Sequence, residues 1–214
     1  MIEFFFKGGP VMWPILILGV VTVAALLEKV IFLVSEQSVR NPKLIQKIFE
    51  LAEKGRYEEA IAIGEKSKYN VAQVVVEGLR HRNSMPVDAM IEAASGQIER
   101  YSRGLVILDT AVTLGPLLGL LGTVTGMMHA FSIVGTGEIA GKQAAITGGV
   151  AESLIAVSFG LAIAILAIIP LNFFNARTEK VRRELEGYCT RLEMILKKKG
   201  AKLTGERMEV EMAR

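Results

Sequence analysis

Three apolar stretches, each long enough to cross a lipid bilayer, constrain this chain more than any other feature. They cover residues 11–34, where only Glu28 and Lys29 are charged, 105–137 and 143–176. A helix needs about 20 residues to cross about 30 Å of hydrocarbon at about 1.5 Å per residue. An ordinary soluble domain distributes its apolar residues instead of collecting them in such blocks. The sequence therefore predicts an all-α integral membrane protein with three transmembrane helices.

The basic residues indicate an orientation. Of 25 Lys and Arg residues, only Lys7 and Lys142 lie on one side of the three predicted spans. Because basic residues close to spans stay cytoplasmic, the N-terminus and the loop at 135–142 are predicted to be periplasmic, with the C-terminus in the cytoplasm. The isoelectric point near 9.0 then reflects topology and contact with anionic membrane lipids, not binding to nucleic acid. We expect an uncleaved, multi-pass membrane protein.

The chain between the first two spans, residues 35–103, is predicted to form a helical cytoplasmic domain. Asn41 and Pro42 are typical of a helix N-cap and first turn. The last helix of the domain is predicted to run through 87–103 straight into the second span, because Gly104 alone is tolerable in a helix. The full predicted order is: periplasmic N-terminus 1–10, span 11–34, cytoplasmic domain 35–103, span 104–134, periplasmic loop 135–142, span 143–174, and cytoplasmic C-terminal helix and tail 175–214.

Apolar residues recur every three or four positions after the third span. This spacing predicts an amphipathic helix with one apolar stripe, which we expect to pack on neighbouring subunits. The tail from Gly200 is polar and is expected to be loose. The stripe consists of Val181, Leu185, Tyr188, Leu192 and Ile195.

Glu152 is the only ionisable residue between Gln143 and Ala176. A carboxylate in the middle of a membrane helix is costly, so by default it indicates a path for protons or ions. The alternative is a neutral carboxyl that only contacts another helix.

The second span carries four glycines on one helix face, at steps of four, three and four residues. Small residues at such spacing let another membrane helix approach closely. We therefore predict a helix-packing seam along Gly115, Gly119, Gly122 and Gly126.

Hydroxyl side chains could complete a proton path. The short connection makes the second and third spans antiparallel neighbours. Thr123 then lies about 16 Å and Glu152 about 14 Å from the outer ends of their helices, at about 1.5 Å per residue. Ser158, Thr147 and Ser153 are further candidates on the third span. A membrane threonine or serine often bonds only to its own backbone, which is the alternative for each.

Two other ionisable residues are candidates for relays at the ends of the second span. His129, whose unperturbed pKa is about 6.5, could pass protons at the outer mouth or act only as an interfacial hydrogen-bonding group. Asp109 could release protons to the cytoplasm, or it could pair with Arg103 or with a neighbouring subunit.

Enzymatic readings find little support. The segment 135–143 contains Gly141-Lys142 but lacks the other glycine and the Ser or Thr of a phosphate loop. The two histidines, His81 and His129, fall on opposite sides of the predicted membrane, so they form neither a zinc site nor a triad. We expect no enzyme activity, metal or cofactor.

Three segments resemble the ExbB/TolQ/MotA proton-channel family. Leu114–Met128, with the sequence LGPLLGLLGTVTGMM, is similar to the family's second-span signature. Val150–Ala156, VAESLIA, resembles the third span of the ExbB and TolQ branch. Trp13-Pro14 and the charged pair near the end of the first span also fit that branch. MotA proteins have four spans and no matching glutamate, so a MotA-like motility stator is the poorer match.

The resemblance implies a homopentamer around the single membrane helix of an ExbD- or TolR-like partner, driven by the proton motive force. This motor would move a TonB- or TolA-like protein that acts on the outer membrane. Glu152 and Thr123 correspond by position to the family's pore glutamate and second-span threonine. The family's second threonine is Val157 here, so either Ser158 replaces it or the polar path is thinner.

A non-conducting membrane scaffold for a one-span partner is the competing hypothesis. The sequence does not distinguish nutrient uptake, envelope maintenance and motility as the process served.

Overall fold

A computed structural model describes residues 2–134 and 143–212, with side chains over 5–132 and 146–198. The described backbone is largely helical and contains, in chain order, α1 Ile2–Lys7, α2 Met12–Val39, α3 Pro42–Glu53, α4 Tyr57–Glu65, α5 Asn70–Arg80, α6 Pro86–Ser102, α7 Leu105–Val134 and α8 Gln143–Met212. The all-α prediction is confirmed over these residues. The predicted loop at 135–142 lies outside them.

The chain divides into two compact units. Residues 1–31 and 104–175 form one, which we call the transmembrane unit, and residues 32–103 and 176–214 form the other, the insertion unit. The division falls within α2 and α8. Within the described residues, three helices, α2, α7 and α8, contain stretches long and apolar enough to cross a membrane, as the sequence predicts.

The insertion unit has a core of branched and aromatic side chains. α3 begins where predicted, because the Asn41 side chain accepts a hydrogen bond from the Leu44 amide at 3.2 Å and Pro42 occupies the first turn. Ile48 and Phe49 of α3 and Leu79 of α5 are 1% exposed or less. Large apolar groups removed from water in this way supply most of the free energy that holds such a unit together.

The apolar stripe of α8 belongs to this same core. Leu185 and Leu192 are 1% exposed, and Val181 and Ile195 are also buried. Packing of the stripe on neighbouring subunits was therefore a wrong prediction, because the chain's own α3, α5 and α6 already cover it. The tail from Gly200, which was expected to be loose, has a helical backbone as far as Met212.

A break separates α6 from α7. Arg103 leaves the helical region with ψ near 133°, and Gly104 has a φ of +78°. An L-residue with a side chain rarely adopts that left-handed conformation, whereas glycine does so at little cost. The prediction of one helix continuing into the second span was therefore wrong, and Gly104 is the residue that ends it.

The transmembrane unit buries fewer large side chains. One apolar cluster among its described residues consists of Val11, Met12 and Ile15 at the start of α2 and Ala156 of α8. Many other apolar side chains on its surface are more than half exposed, among them Leu117, Met128, Leu154 and Ile169. Apolar surface of this extent is expected on a protein that contacts lipid or other subunits.

Candidate proton-path site

The four glycines of α7 all lie against α8. A Cβ built on Gly115 would come within 2.7 Å of the Gly160 carbonyl oxygen, and one on Gly119 within 2.9 Å of the Val157 Cα. A Cβ on Gly126 would lie 2.9 Å from the Gly149 carbonyl oxygen. These neighbours are main-chain atoms, which cannot move aside as the end of a side chain can.

The face of α8 that meets these glycines is also made of small residues. Gly122 contacts Ala156, and the Cβ of a residue at Gly149 would lie 2.8 Å from the Cβ of Ala130. Residue numbers rise along α7 as they fall along α8, so the two helices are antiparallel, as their short connection predicts. Close backbone approach gives van der Waals contact without large side chains, as membrane helices require.

Ser153 connects the two helices at the level of Glu152. It is 3% exposed, and its Oγ donates to the Gly149 carbonyl at 2.9 Å and to the Thr123 carbonyl at 3.3 Å. Because Ser153 directly follows Glu152, Thr123 and Glu152 lie at the same level of their helices. The Thr123 hydroxyl donates to the Leu120 carbonyl of its own helix at 2.6 Å.

The Glu152 side chain lies against the turn between α1 and α2. A Cβ built on Gly9 would be 2.6 Å from Cδ and 3.1 Å from Cγ of Glu152, and closer still to Oε1. Gly9 has a φ of +74°, the left-handed region that favours glycine. Glu152 is half-buried, and among the described residues no side chain donates a hydrogen bond to its carboxyl.

The other predicted path residues are separate from this group. Ser158 is exposed on α8 and donates to the Leu154 carbonyl at 2.8 Å, whereas Val157 faces the seam. Thr147 is exposed near the start of α8, and His129 is exposed near the end of α7. Asp109 is exposed too. Their relay roles stay predictions.

A second polar group, which the sequence did not reveal, lies in the insertion unit. Glu36 is 9% exposed and accepts from Asn70 Nδ2 at 3.1 Å and from the Tyr101 hydroxyl. Burial, together with Glu36, raises the pKa of Tyr101. Glu36 Oε1 and Arg177 Nε are buried and have no hydrogen-bond partner in the described part of the chain. These residues come from α2, α5, α6 and α8, so no local pattern in the sequence joins them.

Gly9 is the site residue that sequence reasoning missed. The Gly8-Gly9-Pro10 string signals a turn before an apolar helix. Which side chain that turn contacts depends on how α2 and α8 pack, and the local sequence does not determine that packing.

Comparison with known proteins agrees with the resemblance. The model of the MotA/TolQ/ExbB proton channel family matches residues 67–187, more than half of the chain. Two ExbB-like biopolymer transport proteins of Synechocystis sp. are 27% and 32% identical. The alignments cover 79% of this chain in both cases, and 82% and 68% of those proteins.

The Tol-Pal system protein TolQ of Pseudomonas aeruginosa is 33% identical over 56% of this chain and 55% of its own length. The family model and the Synechocystis relative that is 32% identical together place the chain. It belongs to the MotA/TolQ/ExbB proton channel family.

Proposed function

We propose that this chain is an ExbB/TolQ-like proton-channel subunit of an inner-membrane motor. Five copies would surround the membrane helix of an ExbD/TolR-like one-span partner, and proton flow would energise a TonB- or TolA-like protein acting on the outer membrane. Two relatives, a biopolymer transport protein and a Tol-Pal system protein, support this role by their names. The N-terminus would face the periplasm and the C-terminus the cytoplasm.

The observation that carries the proposal is the position of Glu152. It is the only ionisable residue of the apolar part of α8, and it lies level with Thr123 of the neighbouring helix α7. A carboxyl can change charge by taking up or releasing one proton. Moving one elementary charge across 100 mV supplies about 2.3 kcal/mol, which is enough to bias a conformational step of that size.

Proton flux into liposomes tests this proposal. The liposomes would hold the purified chain with the one-span protein that copurifies with it, and wild type would be compared with Glu152→Gln. We expect flux to be lost in a variant that still purifies as the same oligomer, because glutamine keeps the shape of the side chain and cannot release a proton. Equal flux in both would contradict the proposal.

The second candidate function is a non-conducting scaffold for the one-span partner. Two contacts favour it: the Thr123 hydroxyl is bonded to its own helix, and the Glu152 side chain lies against Gly9. A scaffold needs Glu152 only as a contact, so Glu152→Ala would release the partner during purification. The channel predicts instead a complex that stays assembled and conducts no protons.

A further inference from the structure

The contact between Gly9 and Glu152 goes beyond packing. We propose that Gly9 is a positioning residue. Its main chain, which carries no side chain, forms a contact surface for the Glu152 carboxyl on the α1–α2 side of α8, and we call this surface the seat. This inference rests on the proposed role of Glu152 in proton movement. It adds that the N-terminal turn limits access to the carboxyl, so that Glu152 has to leave the seat in order to exchange its proton.

The first support for this proposal is the shape of the turn between α1 and α2. Gly8 is buried, and the Gly8 amide donates to the Phe5 carbonyl at 3.1 Å, while the Met12 amide donates to the Gly9 carbonyl at 3.2 Å. These bonds on both sides of Gly9 hold its left-handed conformation between α1 and α2. The main chain therefore presents a fixed surface at the place where the carboxyl lies.

The second support is the direction of the Glu152 side chain. The distance from a Cβ built on Gly9 falls from 3.1 Å at Cγ of Glu152 to 2.6 Å at Cδ and is shortest at Oε1, so the carboxyl end of the side chain points at the glycine. Ser153, the next residue, faces α7 instead. On α8, Ser153 therefore points into the seam, whereas the Glu152 carboxyl points towards the N-terminal turn. To accept a proton beside Thr123, the Glu152 carboxyl would have to rotate away from Gly9.

Substitutions at three glycines, Gly9 and the two controls Gly8 and Gly104, test this proposal. A side chain at Gly9 would displace Glu152 and strain the backbone. At Gly8 a Cβ would meet the Met12 side chain and Ile155, the nearest atoms being 2.5 and 2.7 Å away on the flexible methionine. At Gly104, φ is +78°, yet a Cβ would meet only Lys29 Cε, at 3.6 Å. Gly8→Ala thus disturbs the same turn, and Gly104→Ala imposes the same backbone strain, without a contact to Glu152.

The measurement is the rate at which dicyclohexylcarbodiimide, which adds to protonated carboxyls in membranes, labels Glu152 in the full chain. Labelling would be read by mass spectrometry on membranes at a fixed pH. We expect Gly9→Ala to raise the rate several-fold, while Gly8→Ala and Gly104→Ala match the wild type. Gly9→Asn, which tolerates positive φ better, serves if the alanine variant does not accumulate. A labelling rate in Gly9→Ala equal to that of the wild type, or an equal rise in all three variants, would contradict the proposal that Gly9 positions Glu152.

The pH profile of proton flux separates this inference from the proposed function. A displaced carboxyl meets different surroundings, so Gly9→Ala should move the pH at which flux is half-maximal, whereas the two control variants should leave it in place. An unmoved profile in Gly9→Ala would overturn the link between the seat and proton exchange. Failure of the proposed function has a different signature, which is full flux in Glu152→Gln.

Discussion

Different kinds of contact stabilise the interior of each of the two units. In the transmembrane unit α7 meets α8 through Gly115, Gly119, Gly122 and Gly126, whose neighbours are backbone atoms and methyl groups. In the insertion unit large side chains such as Phe49 fill the space between helices. Lipid removes the hydrophobic advantage of burying a large side chain, so contact distance matters most in one unit and buried area in the other.

The difference also explains where an ionisable group can work. The small residues of the seam bring Thr123 and Glu152 to the same level without large side chains between the helices. The polar group around Glu36 lies among packed aromatic and branched residues, where the hydrogen bonds from Asn70 and Tyr101 fix it. We interpret the first as a place for proton movement and the second as a structural joint.

The largest effect is expected from crowding the seam. Gly115→Val would push a branched side chain against the Gly160 carbonyl, and two backbones would have to separate. Ordinary overpacking costs about 1–3 kcal/mol, and a main-chain clash should exceed this range. The yield of monodisperse protein in detergent should fall sharply. Gly148→Val is the control, because a Cβ there has nothing within 4 Å; an equal fall in the control would break the comparison.

A smaller loss is expected from the core of the insertion unit. Leu192→Ala should destabilise the protein by about 2–5 kcal/mol, as a large-to-small change in a packed core does. Met194→Ala on the same helix, where the side chain is 60% exposed, should change the stability little. Thermal unfolding followed by circular dichroism measures both. Equal melting temperatures for the two variants would mean that the apolar stripe of α8 is not part of this core.

The buried polar group should show in the alkaline range. Tyr101 has a raised pKa, so its contribution to stability is present below the ordinary pKa of 10.0 and is lost as the pH rises beyond it. Tyr101→Phe should cost about 1.5–3 kcal/mol at neutral pH, since a hydrogen bond to a carboxylate is lost. It should also make the decline above that pH shallower, though burial raises the pKa of Tyr69 and Tyr188 as well. Melting curves from neutral to alkaline pH give both quantities, and an unchanged slope would contradict the assignment.

The smallest effect is expected at a helix end. Asn41→Ala removes the hydrogen bond to the Leu44 amide and should lower stability by about 1 kcal/mol. Asn41→Ser, which can still cap the helix, should retain most of that stability in the same melting assay. A loss as large as that in Leu192→Ala would show that local caps rival the core in this unit.

Local patterns were sufficient for much of this fold. The apolar runs predicted the candidate spans, and Asn41-Pro42 predicted the start of α3, because each depends on neighbours in sequence. The break at Gly104 was missed, since a single glycine ends a helix only when the surrounding structure selects a positive φ. The stripe of α8 was correctly read as apolar but was assigned to the wrong partner.

The candidate site shows the same limit. The phase of the four glycines in α7 was readable, as was the isolation of Glu152 in its apolar run. The direction of the carboxyl was not, because Gly9 lies more than 140 residues away in sequence, and their contact depends on the rotation of α8 about its own axis. Ser153 was one of several hydroxyl candidates, and only the packed helices distinguish it from Ser158.

Proton flux in two charge-removal variants tests the central claim most directly. Glu152→Gln and Glu36→Gln each neutralise one carboxyl, the first in the transmembrane unit and the second in the insertion unit. In liposomes holding the chain with the one-span partner proposed above, we predict that flux is lost in Glu152→Gln and kept in Glu36→Gln, with each variant purifying in the same form as the wild type. Flux that survives Glu152→Gln would contradict the assignment of proton movement to the transmembrane unit.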